Sequence, residues 1–201
     1  IINHLSQSNP EYKHDFLVER ETKRIGVIMI SSDRGLCGGL NANLYRSVLR
    51  TTEEWEAAGS EVDFACIGQK GASFFSNIGA NVVAQATKIG DTPHLEDIVG
   101  VIKVWLDAYT EGRIDEVHLC HNDFVNTMSQ QPVVRKLLPI EPEELEEDLS
   151  GHWDYIYEPD AKEVLDGLMP RYIESIVYQG VVENNASEQA ARMVAMKSAS
   201  D

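Results

Sequence analysis

The sequence is short of cysteine, of basic residues and of long apolar runs, and each shortage excludes a class of protein. The three cysteines, Cys37, Cys66 and Cys120, are odd in number and form no CxxC pair, so they predict reduced thiols and not a disulfide framework. The 17 Lys and Arg residues are outnumbered by 33 Asp and Glu residues, which gives a formal net charge of −16. Because nucleic acids are bound through clustered cations, this imbalance argues against a nucleic-acid partner.

No stretch approaches the roughly 20 consecutive apolar residues that a membrane-spanning helix requires, so we expect no direct membrane insertion. The residues needed for a core are nevertheless present, since 43% of the 201 residues are hydrophobic. A chain of this length buries about two thirds of its unfolded surface, which is enough for one domain without disulfides or a metal. The chain starts at Ile1 and ends inside a helical pattern at Asp201, so we expect the middle of a longer protein.

Short apolar runs alternate with helical patterns through the first 120 residues. The strands are predicted at Ile25–Ile30, Val62–Ile67, Asn81–Ala84 and Ile114–Cys120. One helix is predicted to start at Asn41 or Asn43 as its cap and to stop at Gly59. The other two contain Phe74 to Ile78 and Leu95 to Tyr109, the latter opening at Thr92-Pro93 and ending near Gly112. Such alternation predicts an α/β fold with a Rossmann-like, mostly parallel sheet and flanking helices.

Three features are predicted between this alternating region and residue 158. Pro132 and Pro139 flank an apolar segment, which favours an edge strand or a hairpin over another crossover. The acidic run Glu141–Asp148 is typical of a solvated loop. A short strand with an aromatic face, used either for packing or for contact, is predicted by the alternating residues Trp153, Tyr155 and Tyr157.

The chain turns helical from Asp160, where Asp160 and Glu163 form a capping box. Pro170 predicts either a kink or the start of a second helix. An apolar stripe after Pro170 gives way to small residues at helical spacing, namely Gly180, Ala186, Ala190, Ala191, Ala195 and Ala199. Because no other segment of the chain is long enough to cover this stripe, we expect it to lie uncovered and to pair with a helix outside this sequence.

These patterns divide the chain into two predicted parts. Residues 1–158 are expected to form the globular α/β domain, with residues 1–24 as the end of an N-terminal helix and a linker. Residues 159–201 are expected to form a C-terminal helix that is half of an antiparallel coiled coil.

The loop that follows the first predicted strand lies where α/β folds bind phosphates. Its glycines, Gly35, Gly38 and Gly39, match neither G-x-G-x-x-G nor the P-loop pattern, so a nucleotide site is the weaker alternative. Cys37 stands near a predicted helix start, which lowers the pKa of a thiol, but no histidine or other base is close in sequence. We therefore expect Cys37 to be structural.

Histidines and carboxylates also fail to form a recognisable chemical site in the sequence. Alternation along a strand places His118 and Cys120 on one face and His121 on the other, which is not a compact metal-ligand set. No pair of carboxylates has a spacing that suggests acid and base roles. The sequence therefore predicts no catalytic residue, no metal site and no cofactor.

Four segments resemble a known family. They are S-D-R-G-L-C-G-G-L-N at Ser32–Asn41, N-T-M-S-Q at Asn126–Gln130, W-D-Y-I-Y-E-P at Trp153–Pro159, and Y-Q-G-V-V-E-N-N-A-S-E-Q-A-A-R-M-V-A-M-K at Tyr178–Lys197. In this order they resemble the gamma subunits of F-type ATP synthases, most closely those of bacteria. The resemblance covers essentially the whole chain. It implies that this sequence lacks the N-terminal helix of the family and the tip of the C-terminal helix. Pro170 departs from the family pattern.

This resemblance implies a non-catalytic central-stalk rotor that couples ring rotation to ATP synthesis or hydrolysis, and that regulates ATPase activity and proton flow. The implied partners are the alpha and beta subunits of the catalytic hexamer, the epsilon subunit and the membrane c-ring. The implied location is peripheral, on the cytoplasmic face of the bacterial inner membrane. The alternatives are a Rossmann-type nucleotide-binding enzyme and a helical adaptor for some other protein.

The resemblance also implies which residues contact other subunits. The loop from Asp33 to Gly39 would face the beta subunits, and the region around Tyr155 would lie at the foot, near the ring and epsilon. The full set of implied contact residues is Asp33, Arg34, Gly35, Leu36, Cys37, Gly38, Gly39, Tyr155, Glu188, Gln189 and Arg192.

Overall fold

The computed structural model describes residues 14–141 and 161–201 of the chain. After a short 3-10 helix at Asp15–Leu17, five strands and four helices follow. The strands are β1 (Arg24–Ile30), β2 (Glu61–Ile67), β3 (Val82–Ala86), β4 (Glu116–Asn126) and β5 (Ser129–Leu138). The helices are α1 (Leu40–Ala57), α2 (Gln69–Asn77), α3 (Leu95–Thr110) and α4 (Ala161–Ser200).

The strands form one sheet in the order β3-β2-β1-β4-β5. The pairs β1–β2, β1–β4 and β2–β3 are parallel, and β5 is antiparallel to β4 at the sheet edge. The prediction of a mostly parallel α/β sheet is therefore confirmed, and so is the hairpin at Pro132. The apolar run of β1 is buried on both faces because β1 lies in the centre of the sheet.

Two hydrophobic layers cover the two faces of the sheet. On one face, α1 and α2 pack Leu44, Val48 and Phe75 against β1 and β2. On the other face, α3 and α4 pack against the same strands and β4. Gly26 is required at the second face, since a Cβ atom there would lie 2.9 Å from the Trp105 ring on α3.

The long helix α4 is continuous, with Pro170 inside it, so no second helix starts at Pro170. Its first half forms part of the globular core. The side chains that cover the sheet recur at every fourth position and are Met169, Ile173, Val177 and Val181. Helix α4 can approach β4 closely because Gly180 has no side chain. A Cβ atom there would lie only 3.3 Å from the His121 ring.

The expectation that the small-residue stripe lies uncovered is wrong for its first part. Gly180 and Ala190 are buried, because the sheet and the loops at its end reach that far along α4, whereas Ala186 between them is exposed. Beyond Ala190 the stripe is only partly covered, since Ala191 and Ala195 are half-buried and Ala199 is exposed, as are the neighbouring Met193 and Met196. The helix is therefore anchored in its first half and bare at its end.

Some helix boundaries differ from the predictions. The N-cap of α1 is Gly39 without a side-chain hydrogen bond, and Asn41 bonds to Ser32 instead of capping the helix. Helix α3 begins at Leu95, with His94 as the cap. Gly59 and Gly112 adopt the left-handed conformation that was expected of them, with φ of 91° and 74°.

Several predictions fall on residues outside the described ranges. These are the acidic run beyond Glu141, the aromatic strand with Tyr155, the capping box at Asp160, the N-terminal residues before 14 and the domain boundary at residue 158. They remain predictions. Within the described ranges, no helix is both long enough and apolar enough to cross a membrane.

Candidate functional site

The loop after β1 is held in place by one carboxylate. Asp33 accepts backbone hydrogen bonds from Gln69 at 2.9 Å, from Lys88 at 3.0 Å and from Ile89 at 2.8 Å. Gln69 is the first residue of α2, and the other two residues follow β3. A single side chain therefore ties three segments together at the carboxyl end of the sheet.

The same contacts weaken the nucleotide-binding alternative. Backbone N–H groups at a helix start beside parallel strands are the usual donors to a phosphate. Here the Asp33 carboxylate accepts from these donors, so an incoming anion would meet a negative charge instead of free N–H groups. The absence of a phosphate-binding glycine pattern in the sequence agrees with this arrangement.

The second part of the loop is fixed by a small polar cluster. Asn41 Nδ2 donates to Ser32 Oγ at 2.6 Å, and Ser32 Oγ donates to the Arg34 carbonyl at 2.7 Å. The Cys37 thiol is buried beside them, with its Sγ atom 3.6 Å from Asn41 Nδ2. These neighbours supply no base, which supports the structural role predicted for Cys37.

Leu36 forms the exposed tip of this loop. Its φ angle is 63°, in the left-handed region that costs a non-glycine residue about 1–2 kcal/mol. Its side chain is 73% exposed, so burial in this chain does not offset that cost. Strained, exposed apolar residues are typical of contact sites.

Helix α4 reaches the loop through Arg192. Its Nη2 atom donates to the Gly35 carbonyl at 3.2 Å and lies 2.6 Å from Glu188 Oε1. The side chains of Arg192 and Glu188 are only 17% and 11% exposed, so water weakens this ion pair less than a surface pair. The position of the helix is thereby coupled to the position of the loop.

Asp91, in the loop before α3, is the second point of attachment. Its carboxylate oxygen Oδ1 lies 2.9 Å from Arg34 Nη2 and accepts from Gln189 Nε2 at 3.1 Å. Its backbone carbonyl accepts from Asn185 Nδ2 at 2.8 Å. Neither Asp91 nor Asn185 was predicted as a contact: Asp91 lies outside every quoted motif, and Asn185, although it lies within Tyr178–Lys197, meets Asp91 only through the fold.

The structure thus brings most of the predicted contact residues to one end of the sheet. The loop residues Asp33 to Gly39 lie against Glu188, Gln189 and Arg192 of α4, and we call this assembly the junction. Tyr155 lies outside the described residues. A contact role for these side chains is not itself tested by their proximity and remains a proposal.

An apolar groove borders the junction. It has a volume of about 210 Å³ and is lined by residues that include Gly38, Met128 and Ala195. Large apolar side chains exposed on the elements around it include Leu36, Met128, Met193 and Met196. Exposed apolar groups in this number at one end of a domain are typical of a protein contact surface.

The predicted separation of the β4 side chains is confirmed. The centroid of the His118 ring lies 4.5 Å from that of Trp55 on α1, whereas His121 packs against Gly180 of α4 on the opposite face of the sheet. Burial raises the pKa of Cys66 to about 12 and raises that of Cys120 as well, so both remain thiols and are poor nucleophiles at neutral pH.

A closed polar cluster lies at the other end of β4, away from the junction. Glu116 Oε2 lies 2.8 Å from His118 Nε2, and Glu116 Oε1 accepts from Thr22 Oγ1 at 2.5 Å. The pKa of Glu116 is lowered to about 2, chiefly by the hydrogen bond with His118. Thr22 and Lys136 act in the same direction, and together these contacts outweigh burial, which raises the pKa. Because its members satisfy one another, this cluster stabilises the fold.

Comparisons with known proteins agree on one family. The family model described as ATP synthase matches residues 1–201. The ATP synthase gamma chain of Methylococcus capsulatus is 66% identical over 201 residues, which are 100% of this chain and 70% of that protein. The gamma chain of Nitrosococcus oceani is 56% identical over 203 residues, again with 100% and 70% covered.

Solved structures share the fold at lower identity. A chain in the central stalk and c-ring structure of Tetrahymena thermophila mitochondrial ATP synthase superposes with a TM-score of 0.72 at 24% identity, covering 100% of this chain and 85% of that one. A chain in the rotor structure of Euglena gracilis mitochondrial ATP synthase gives a TM-score of 0.63 at 16% identity, covering 98% and 80%.

Proposed function

The chain belongs to the ATP synthase gamma-chain family, and we propose that it acts as the central-stalk rotor that couples rotation of a membrane ring to ATP synthesis or hydrolysis. The observation that carries this proposal is the junction, where the loop Asp33–Gly39 is joined to α4 through Arg192 and Asp91. A torque applied to the globular body is then transmitted to the helix through several bonds. The rotor needs such a connection.

Coupling in this proposal depends on shape. The apolar groups around the junction lie on one side of a single chain, so they contact only some of several equivalent sites in a surrounding ring at any moment. An element can shift a conformational equilibrium only by binding two states unequally. Rotation of an asymmetric shaft would therefore change which catalytic site is favoured.

We infer that the chain supplies no catalytic group of its own. The charged residues of the junction bond to one another or to backbone groups, as Asp33, Arg192 and Glu188 show. In the described ranges, the three cysteine thiols are buried. ATP chemistry would then be carried out by partner subunits.

The proposed partners are the alpha and beta subunits, which would contact Asp33–Gly39, Glu188, Gln189 and Arg192, together with the epsilon subunit and the membrane c-ring. Tyr155 is proposed to lie near the ring and epsilon. The proposed location is the cytoplasmic face of the bacterial inner membrane, bound peripherally. The bare end of α4 supports a helical partner beyond Ala190.

Reconstitution with purified alpha and beta subunits tests the rotor role. We expect the chain to raise ATP hydrolysis of the mixture and Leu36→Asp to reduce this stimulation at least tenfold, because a charge at the exposed tip opposes burial in an interface. The control is Ile78→Asp, which changes a 50% exposed residue at the end of α2, away from the junction. Stimulation that survives Leu36→Asp, or no stimulation by the unmodified chain, would contradict the proposal.

Calorimetry separates the rotor from a nucleotide-binding enzyme. We expect no heat of binding when ATP, ADP or NAD is titrated into the chain at millimolar concentration, since Asp33 takes the donors at the end of the sheet. Saturable binding that is lost on changing the loop would favour the enzyme instead.

A further inference from the structure

A group of three potential metal ligands lies between β4 and α4. We propose that His121, Asp123 and Glu183 form a binding site for a divalent transition-metal cation, for which Zn²⁺ is the fitting ion. The His121 nitrogen and one carboxylate oxygen from each acidic residue all lie within 4.8 Å of one another. The proposal rests on this geometry and is independent of the rotor function.

The histidine supplies the strongest argument. His121 is only 6% exposed, yet its Nδ1 atom makes no hydrogen bond with any residue that the structure describes. Leaving a buried polar atom without a partner destabilises the fold unless something binds that atom. Nδ1 faces the carboxylate of Asp123, with 3.4 Å between Nδ1 and Oδ1. A cation between these two atoms would satisfy both.

The distances fit tetrahedral coordination. Bonds of about 2.0–2.2 Å from a zinc ion separate its ligand atoms by roughly 3.4 Å. The His121–Asp123 separation already has this value. Glu183 closes the remaining gap by rotation of its side chain, whose present contact is a hydrogen bond from Gln179 Nε2 to its Oε1 at 3.2 Å.

The backbone around the site is fixed in advance. Asn122, between His121 and Asp123, donates from its backbone N–H to Asn184 Oδ1 at 3.1 Å. Its carbonyl accepts from Ser187 Oγ at 3.2 Å. Both bonds are buried and join β4 to the turn of α4 that carries Glu183. Metal binding would therefore require little further ordering of the backbone.

The donor set selects the class of ion. One imidazole nitrogen with two carboxylate oxygens suits zinc and neighbouring transition metals better than Mg²⁺ or Ca²⁺, which prefer oxygen ligands alone. Two ionised carboxylates also carry a charge that a divalent cation balances. Since Asp123 and Glu183 are half-buried, one side stays open for entry of the ion and for a water ligand.

Titration of the chelator-treated chain with ZnCl₂, followed by calorimetry, tests the site. We expect one zinc per chain, and at least tenfold weaker binding when Asp123→Asn and Glu183→Gln are combined. These changes keep side-chain size, so the fold should survive; circular dichroism checks this. Glu174→Gln, a half-buried glutamate elsewhere on α4, is the matched control and should leave the affinity unchanged.

A second measurement separates this site from adventitious binding. Zinc should raise the melting temperature of the unmodified chain and of Glu174→Gln, but not that of the double variant, because the ion joins β4 to α4 only through the proposed ligands. X-ray absorption should show one nitrogen and two carboxylate ligands. Equal zinc affinity in the double variant, or no binding by the unmodified chain at micromolar zinc, would overturn the proposal.

Discussion

The two halves of helix α4 differ in what covers their apolar side chains. Ile173 and Val177, in the first half, are 1% and 0% exposed because the sheet covers them. Met193 and Met196, in the second half, are 56% and 45% exposed. Most helical stability in proteins comes from tertiary packing of an apolar face, so the first half of α4 owes its stability to packing on the sheet.

This difference shows how one helix serves two purposes. The anchored half fixes the direction of α4 relative to the body, and the junction at Glu188 and Arg192 marks where this support ends. The remaining turns project with their apolar groups available. Substitutions in the first half should therefore change folding, whereas those in the second should change assembly.

The largest decrease in the free energy of unfolding is expected from Ile173→Ala. Removing a buried isoleucine side chain leaves a cavity between α4 and the sheet, and such changes cost about 2–5 kcal/mol. Urea unfolding followed by circular dichroism measures the loss. An unfolding free energy within about 0.5 kcal/mol of the unmodified chain would mean that the first half is not anchored, and the comparison would fail.

Low pH should reduce the folding stability of the α/β domain against which the first half of α4 packs. The pKa of Glu116 is about 2 in the folded chain against an ordinary 4.5, so its contribution is fully present above about pH 4.5 and is lost as the pH falls towards 2. At neutral pH the lowered pKa corresponds to about 3 kcal/mol of stability. Screening by water reduces this contribution little, because the Glu116 side chain is only 16% exposed.

Glu116→Gln tests this acid dependence. The variant should be less stable at pH 7 by up to about 3 kcal/mol, and its unfolding free energy should vary less between pH 4.5 and pH 2. Urea unfolding at a series of pH values measures both. Glu61→Gln, which changes an exposed glutamate at the start of β2, should keep the original dependence. Identical pH profiles for all three chains would exclude this role of Glu116.

A smaller effect is expected at the boundary between the two halves. Arg192→Gln removes the ion pair with Glu188 and the bond to the Gly35 carbonyl, which together contribute about 1–2 kcal/mol. Amide exchange should become faster in α4 near Glu188 and in the loop near Gly35, but not around Ile173. Uniformly faster exchange would show that the two halves unfold as one unit.

The smallest change in stability is expected at the far end of α4. Met193→Ala and Met196→Ala should alter the unfolding free energy by no more than about 0.5 kcal/mol, because both side chains are exposed. The same variants should weaken stimulation of ATP hydrolysis in the reconstituted mixture. A large loss of stability in the isolated chain would show that these residues pack internally.

Local patterns predicted most of the fold. The apolar run of β1, the helical spacing of Leu44 and Val48 and the stops at Gly59 and Gly112 require only neighbouring residues, and each appears as expected. Helix starts were predicted less well. Asn41 or Asn43 is the predicted cap of α1, but Gly39 takes that position, and the Asn41 amide bonds to Ser32, a contact that depends on how the loop folds back.

The candidate site could be predicted only in part. Its loop was visible as the motif after β1, and its α4 residues came from family resemblance. Asp91 carried no signal because single polar residues in loops are common, and the motif that contains Asn185 does not indicate which residue Asn185 meets. Similarly, His121 was considered only with its neighbours on β4, where no ligand set exists; Glu183 joins it from 62 residues away along the chain.

The sequence by itself determined the α/β class, the order of the strands and helices and the family, because these depend on periodicity, turn residues and motifs along the chain. Only the tertiary structure decided how far α4 is covered and which polar groups meet at the junction and at His121. The physical reason is that covering a helix and pairing buried polar groups depend on distances between segments that are remote in the chain. No local pattern encodes such distances.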